Sequence, residues 1–317
     1  MSEVMETGTA LTVPIEKLTA IIAPGIFQIP HDIYHADPAP EPSLSAGMIS
    51  ALLSAPAKCR ETSPRLNPGF ERPEADESKF SIGSVSHIMV LEPHLLAERV
   101  TVVEAYTKDG KPSDSWATAD AKNQRAAAIQ AGRVPILAKD MAKVTAARDA
   151  LAANSFAARA FVGGKFEQSM FWRHPRYGFW CRARPDFIAD SGAHLCDYKA
   201  THNADPAEFG AHAARMGYHR RAAWYLEGAE ILLGRRPDHY WFINQETKPP
   251  YLPAVVELDL NAIEAGQAEN DLAAHLFAHC LESGDWFGYR NLSDIKVDTA
   301  FRVSLPPWAH MRIDQRN

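Results

Sequence analysis

Asp186 and Asp197 are separated by ten residues, and Lys199 follows the second acid by two positions. Both acids lie on short apolar runs joined by the turn signal Asp190-Ser191-Gly192. Strand side chains alternate faces, so Asp197 and Lys199 share one face while Cys196 and Tyr198 take the other. Asp186, on the preceding strand, can reach the same face across the turn. Two carboxylates at one point repel each other unless a cation lies between them. Hard oxygen donors favour Mg²⁺ or Mn²⁺. Such an ion would polarise a phosphoryl oxygen and help turn water into hydroxide, with Lys199 holding the water or stabilising charge on phosphorus. That is the equipment for cutting a phosphodiester bond. An Asp-x-Lys pair by itself is usually a solvated surface pair. The preceding Arg184-Pro185-Asp186, the turn and the apolar strand make this one specific.

The elements that must position these residues are legible in outline. Ser43 or Ser45 caps a helix over 46–53, which Pro56 ends, and residues 60–79 read as a polar loop. A helical pattern resumes over 81–91. Residues 104–115 form a loop turning at Asp109-Gly110, and alanine-rich helices follow over 116–131, 138–153 and on to Phe161. Strands are expected over 166–173, 179–188 and 193–199, and their short turns imply antiparallel neighbours. Asp205-Pro206 starts a helix that runs to Leu233 and stops at Gly234. Two strands, 239–245 and 253–258, precede a long helix over 261–281.

The chain has 317 residues, 46% apolar and 23% charged, enough for one large domain with a substantial core. Its formal charge is −6, which counts mildly against a duplex binder. The balance is uneven. Between residues 170 and 222, Arg173, Arg176, Arg182, Arg184, Lys199, Arg215, Arg220 and Arg221 outnumber Asp186, Asp190, Asp197, Asp205 and Glu208. A basic excess therefore surrounds the acidic motif, where a polymer substrate would need it. The four cysteines (Cys59, Cys181, Cys196 and Cys280) form no C-x-x-C pair, so they are expected to be reduced and structural, with no iron–sulfur cluster. No stretch has the length of a membrane span, no signal pattern opens the chain, and the expected location is cytoplasmic.

Pro185-Asp186 followed by Asp197-Tyr198-Lys199 resembles the PD-(D/E)xK nuclease signature. Gly83-Ser84-Val85-Ser86-His87, then Leu91-Glu92-Pro93, resembles the G-x-x-x-H helix of RecB-like and RecE-like exonucleases. The segments around Gly25-Ile26-Phe27, Tyr34-His35-Ala36, Ser43-Leu44-Ser45 and Ser54-Ala55-Pro56, with Trp286-Phe287-Gly288-Tyr289, look like phage-type exodeoxyribonuclease VIII domains. The resemblance implies an α/β fold of restriction-endonuclease type, with a small mixed sheet flanked by helices and helical additions at the N-terminal side. It spans about residues 25–290, leaving a flexible N-terminus over 1–24 and a C-terminal extension over 291–317 that packs on the same domain. It implies His87, Asp186, Asp197 and the Tyr198 carbonyl as metal ligands and Lys199 as the catalytic lysine. Glu167 matches a position where some members place an acid near the metal. RecE-like members carry Gln-x-x-x-Tyr on the helix after the lysine, and here Arg221 stands four residues before Tyr225, on one helix face.

The implied function is a Mg²⁺-dependent exodeoxyribonuclease resecting duplex DNA from the 5′ end. The 3′ tails would serve a RecT-type annealing protein, and the enzyme would form a homo-oligomeric ring. A RecB-like nuclease of other polarity or single-strand preference, a non-catalytic DNA-binding scaffold of the same fold, and a hydrolase of small phosphoesters are the competing readings. Arg182 and Arg184, on the face of Asp186, are candidates to hold a DNA phosphate or to balance the buried acids, and Arg221 and Tyr225 are further DNA contacts. His194 and His202 lack a metal-site spacing. His212 and His219 suit a solvated helix face, and Tyr218 and Trp224 suit a core.

Overall fold

The computed structural model describes residue 21 and residues 23–70, 82–290 and 300–305. Apart from residues 21, 23 and 24, the expected flexible N-terminus lies outside the described residues. So does the expected C-terminal extension apart from 300–305, and the expected loop over 60–79 beyond residue 70. In chain order, β1 (Gly25–Phe27), α1 (His31–His35), β2 (Ser43–Ser45), α2 (Ala46–Ser54) and α3 (Pro56–Glu61) come first. Next are α4 (Ile82–Leu91), a 3-10 turn, α5 (Leu96–Arg99), β3 (Val100–Val103), β4 (Ala105–Tyr106), β5 (Pro112–Ser113), α6 (Ala119–Gln130), β6 (Val134–Leu137), α7 (Ala138–Ala153) and α8 (Ser155–Ala160). The strand-rich part holds β7 (Gly164–Phe166), β8 (Ser169–Arg173), β9 (Trp180–Ala183), β10 (Phe187–Ala189) and β11 (His194–Thr201). Then follow α9 (Pro206–Met216), α10 (Tyr218–Leu233), β12 (His239–Glu246), β13 (Pro253–Glu257) and α11 (Leu260–Ser283).

Side-chain alternation in β11 and β12 sets the layers. These strands run parallel at the centre of a mixed sheet ordered β13-β12-β11-β10-β7, whose other pairings are antiparallel. Leu195, Tyr240 and Phe242 face one core with Phe209, Tyr218 and Tyr225 from α9 and α10. Cys196, Tyr198 and Ile243 face the opposite core with Leu91, Leu151, Ala157 and Ala160 from α4, α7 and α8. Helices thus cover both faces, and strands buried on both sides are the expected reason for continuous apolar runs. Asp205 caps α9 by accepting from the Ala207 N–H, and Asp259 does the same for α11 at Ala262.

Four expectations turn out differently. The strands expected over 166–173 and 179–188 form one antiparallel ribbon with a single register, but the ribbon serves two sheets. Its outer half, β7 and β10, joins the central sheet. Its inner half, β8 and β9, joins a second sheet ordered β1-β8-β9-β2. Pro185 lies at the crossover and has no N–H for a ladder, and Glu167, opposite the neighbouring Asp186, has φ of 52°. The helix expected over 205–233 is two helices, because Gly217 adopts φ of 69° and ends α9 in a left-handed cap. Pro56 ends α2 but also opens α3, since proline is tolerated in a first helical turn. The loop expected over 104–115 holds the two short strands of a hairpin, β4 and β5, with Gly110 at φ of 72° in its turn. Parallel pairing of β3 with β6 was not foreseen.

Candidate metal centre

The crossover in the ribbon is where the acids meet. Glu167 lies opposite Asp186, and its N–H donates to the Asp186 carbonyl at 3.0 Å. Phe187 pairs with Cys196, so the same register carried one residue further sets Asp186 beside Asp197. Three acids on three adjacent segments therefore form a row across the end of the sheet. α4 packs against β11 and brings His87 over this row. His87 Nε2 lies 3.4 Å from Asp186 Oδ1 and 3.6 Å from Glu167 Oε1. One ligand atom from each of His87, Glu167 and Asp186 lies within 4.8 Å of the others.

Each member is held by a specific bond. Asp186 Oδ2 accepts from the Tyr198 N–H at 2.6 Å. Glu167 Oε2 accepts from Arg184 Nε at 2.6 Å, while Arg184 also donates to the Ile29 carbonyl and the Ser169 hydroxyl. Glu167 Oε1 is buried and accepts no hydrogen bond. Burial and the Asp186 charge raise the Glu167 pKa, outweighing His87 and Arg184. Burial opposes ionisation of Asp186 too, but Lys199, His87 and the Tyr198 amide lower its pKa. An unmatched buried carboxylate oxygen facing an imidazole and a second carboxylate is an arrangement that a divalent cation would satisfy. Two carboxylates and a histidine suit Mg²⁺ or Mn²⁺.

Asp197, expected among the ligands, is placed differently. Lys199 Nζ donates to its Oδ1 at 2.7 Å, and Arg221 donates to its Oδ2 at 3.3 Å. It is outside the three-residue group. The Tyr198 carbonyl, expected to complete the shell, accepts from Lys199 Nζ at 3.3 Å. The expected site residues thus form two adjoining clusters: His87, Glu167 and Asp186, and Asp197 with Lys199 and Arg221. The Asp197 charge is the largest cause of the raised Arg221 pKa.

The remaining candidates divide by burial. Arg182 is buried and donates to Ser43 and to Asp37, the latter 2.8 Å away, so it ties β9 to β2 and the preceding loop. Arg184 is equally committed, to Glu167. Of the two readings left open for these arginines, their bonds favour balancing buried acids. Arg221 and Tyr225 line a cleft with Arg182 and His31. His194 bonds the Ala160 carbonyl, His219 meets Glu269, and Trp224 is buried with its indole N–H on the Arg182 carbonyl. The four cysteines are free and buried. Sequence reading named Arg184 as a candidate to balance buried acids but without Glu167 as its partner, and it missed the Arg221–Asp197 bond; the two bonds span 17 and 24 residues and have no local signal. It also missed His31, whose pKa burial and Arg184 lower to about 4 and which faces the site across the cleft.

A mixed sheet between helices, with acids at a strand crossover and Asp-x-Lys on the next strand, is the PD-(D/E)xK fold. Residues 55–289 match the model of the family described as a PDDEXK-like domain of unknown function (DUF3799), and the chain belongs to that family. Its fold is similar to the crystal structure of a "Putative exonuclease" from Eubacterium rectale, with a TM-score of 0.50 and 11% identity over 76% of this chain and 82% of that one. No curated protein sequence matches the chain. Among the described residues, no helix is long and apolar enough to cross a membrane.

Proposed function

We propose that the protein is a divalent-metal-dependent exodeoxyribonuclease that degrades one strand of duplex DNA from its 5′ end. The observation that carries this reading is the convergence of His87, Glu167 and Asp186, with the unmatched Glu167 Oε1 between them, next to the Asp197–Lys199 pair. Those three residues would hold the ion, which when bound supplies charge to a phosphoryl oxygen and acidity to water. The protein's own groups would do the rest. Arg184 fixes the Glu167 carboxylate. The Tyr198 N–H fixes Asp186. Asp197 holds the Lys199 ammonium beside the site, ready to orient water or meet charge developing on phosphorus. Arg221 supplies a second cation at the cleft wall.

DNA as substrate, the 5′ polarity and Mg²⁺ as the ion rest on the motif resemblance to RecE-like exonucleases. So do a RecT-type annealing partner and a ring of identical subunits. The test is digestion of a duplex labelled separately at each 5′ and 3′ end, with Mg²⁺ or with EDTA, alongside Asp186→Asn. Release of 5′ label that needs Mg²⁺ and disappears in the variant is expected. Release from the 3′ end would replace this polarity with the RecB-like alternative. Absence of Mg²⁺-dependent release from either end would reject the exonuclease reading.

A further inference from the structure

A second cavity of about 610 Å³ adjoins the acidic site across Lys199, Ala200 and Gly83, which line both spaces. Its volume lies in the range of about 300–1,000 Å³ common for small-ligand pockets. Its character differs from the cleft beside it, where Arg182 and Arg221 supply cations. Here the walls include Trp116, Tyr218 and the exposed Met216, and Asp140 supplies an acid. Asp140 is paired with Lys143 at 2.7 Å. That pairing neutralises the acid. Lys199, His202 and His212 add to the polar part of the lining, and the aromatic and apolar remainder suits an uncharged planar group.

Two details narrow the occupant. The Tyr218 ring lies between the catalytic and cleft cations, with Lys199 Nζ 6.0 Å and the Arg221 guanidinium 5.8 Å from its centroid. Tyr218 is mostly buried, with Phe242 stacked on it, so the small part of it that borders the cavity lies next to Lys199. Asn244 pairs with Lys199 in the parallel register of β11 and β12, so its side chain points to the same face. It is 4% exposed, it lines this cavity, and its amide nitrogen is a buried donor with no acceptor. Buried donors without acceptors are rare and costly, and a ligand acceptor would satisfy this one.

We propose that this cavity takes one nucleobase, that of the nucleotide adjoining the scissile phosphate, splayed out of its strand. The base stacks on the aromatic wall and accepts from Asn244, while its phosphate stays at the acidic site. The assignment rests on the nuclease reading and adds to it a requirement for an unstacked base at the point of cleavage. Every base has a π face, so such a pocket tolerates all sequences while detecting a missing base.

The test uses the full chain and DNA duplexes in which a single abasic residue is moved one nucleotide at a time from the 5′ end. Two readouts are taken: cleavage at each bond with Mg²⁺, and binding by fluorescence anisotropy in EDTA. Cleavage should slow by roughly ten-fold or more at one bond, the one adjoining the abasic residue, in keeping with the loss of one stacked base. Metal-free binding should weaken for an abasic residue at a matching single position. Asn244→Leu and Met216→Glu should slow cutting of intact DNA and reduce the abasic effect. Met216 is 56% exposed, so its variant has little effect on the fold. Cleavage that proceeds evenly through abasic positions would overturn the pocket and leave the nuclease reading standing. Position-dependent binding without cleavage would uphold the pocket as a base site and reject the nuclease. Neither binding nor cleavage would reject both.

Discussion

Glu167 has the left-handed backbone that non-glycine residues seldom adopt, with φ of 52°. Such a conformation costs about 1–3 kcal/mol, and it sits where the side chain joins His87 and Asp186. Strain, a buried unmatched oxygen and a raised pKa coincide at this one residue, as expected for a group awaiting a cation. His87 gives a pH signature. Burial pulls its pKa down, but contact with Asp186 and the charge of Glu167 outweigh this and leave it above 6.5. The protonated ring therefore stabilises the metal-free fold below 6.5, and the contribution fades as pH rises through the higher folded-state value. A metal needs the neutral ring. The rise in Tm on adding Mn²⁺ should thus grow with pH across neutrality in scanning fluorimetry, and His87→Gln should flatten that trend. A pH-independent Mn²⁺ effect in the native protein would count against His87 as a ligand. Lys199 contacts Asp197 and the Tyr198 carbonyl rather than the three-residue cluster. Lys199→Gln should lower kcat by about 10²–10³-fold while leaving Mn²⁺ affinity by calorimetry nearly unchanged, the behaviour of a group that acts on developing charge. Lost Mn²⁺ affinity would reject that role.

The ribbon of β7 to β10 is the element that makes the site. The sequence shows it well as two apolar runs with a short turn, and shows Pro185 as a residue that cannot pair. It does not show that the two halves belong to different sheets, because the second sheet depends on β1 and β2, which contact the ribbon from distant parts of the chain. Asp186, Asp197 and Lys199 were legible because their chemistry is local to two neighbouring segments, whereas Glu167 was reached only through the resemblance. The division into one cluster around His87 and another around Arg221 was not, because α4 and α10 set it from opposite faces of the sheet. β1 and β2, at three residues each, are too short for any period to reveal. The ribbon also depends on close approach at Gly164, where a Cβ would stand 2.3 Å from the Ile188 carbonyl oxygen. That neighbour is backbone, so β7 must move to admit a side chain. Gly164→Ala should lower stability by about 1–3 kcal/mol in denaturant unfolding. It should also weaken Mn²⁺ binding, because Glu167 directly follows β7, three residues beyond Gly164. Unchanged metal affinity in a destabilised variant would show that Glu167 is positioned by Arg184 alone.

At the scale of the molecule, the proposed binding of DNA by a chain of charge −6 would draw on the cations gathered near the acidic motif. Such a field is short-ranged and screened by salt. Metal-free binding to duplex DNA should weaken as salt rises, with log K falling linearly against log salt. Arg221→Gln should reduce the slope by about one, the signature of a lost phosphate contact. A salt-independent affinity would contradict phosphate recognition by this surface. The whole account depends on one ion site at the crossover between two sheets, and diffraction from crystals soaked in Mn²⁺ tests it most directly. The anomalous map is predicted to show a peak bound by His87 Nε2 and by carboxylate oxygens of Glu167 and Asp186. A map with no peak there, or with the ion elsewhere in the molecule, would contradict the account.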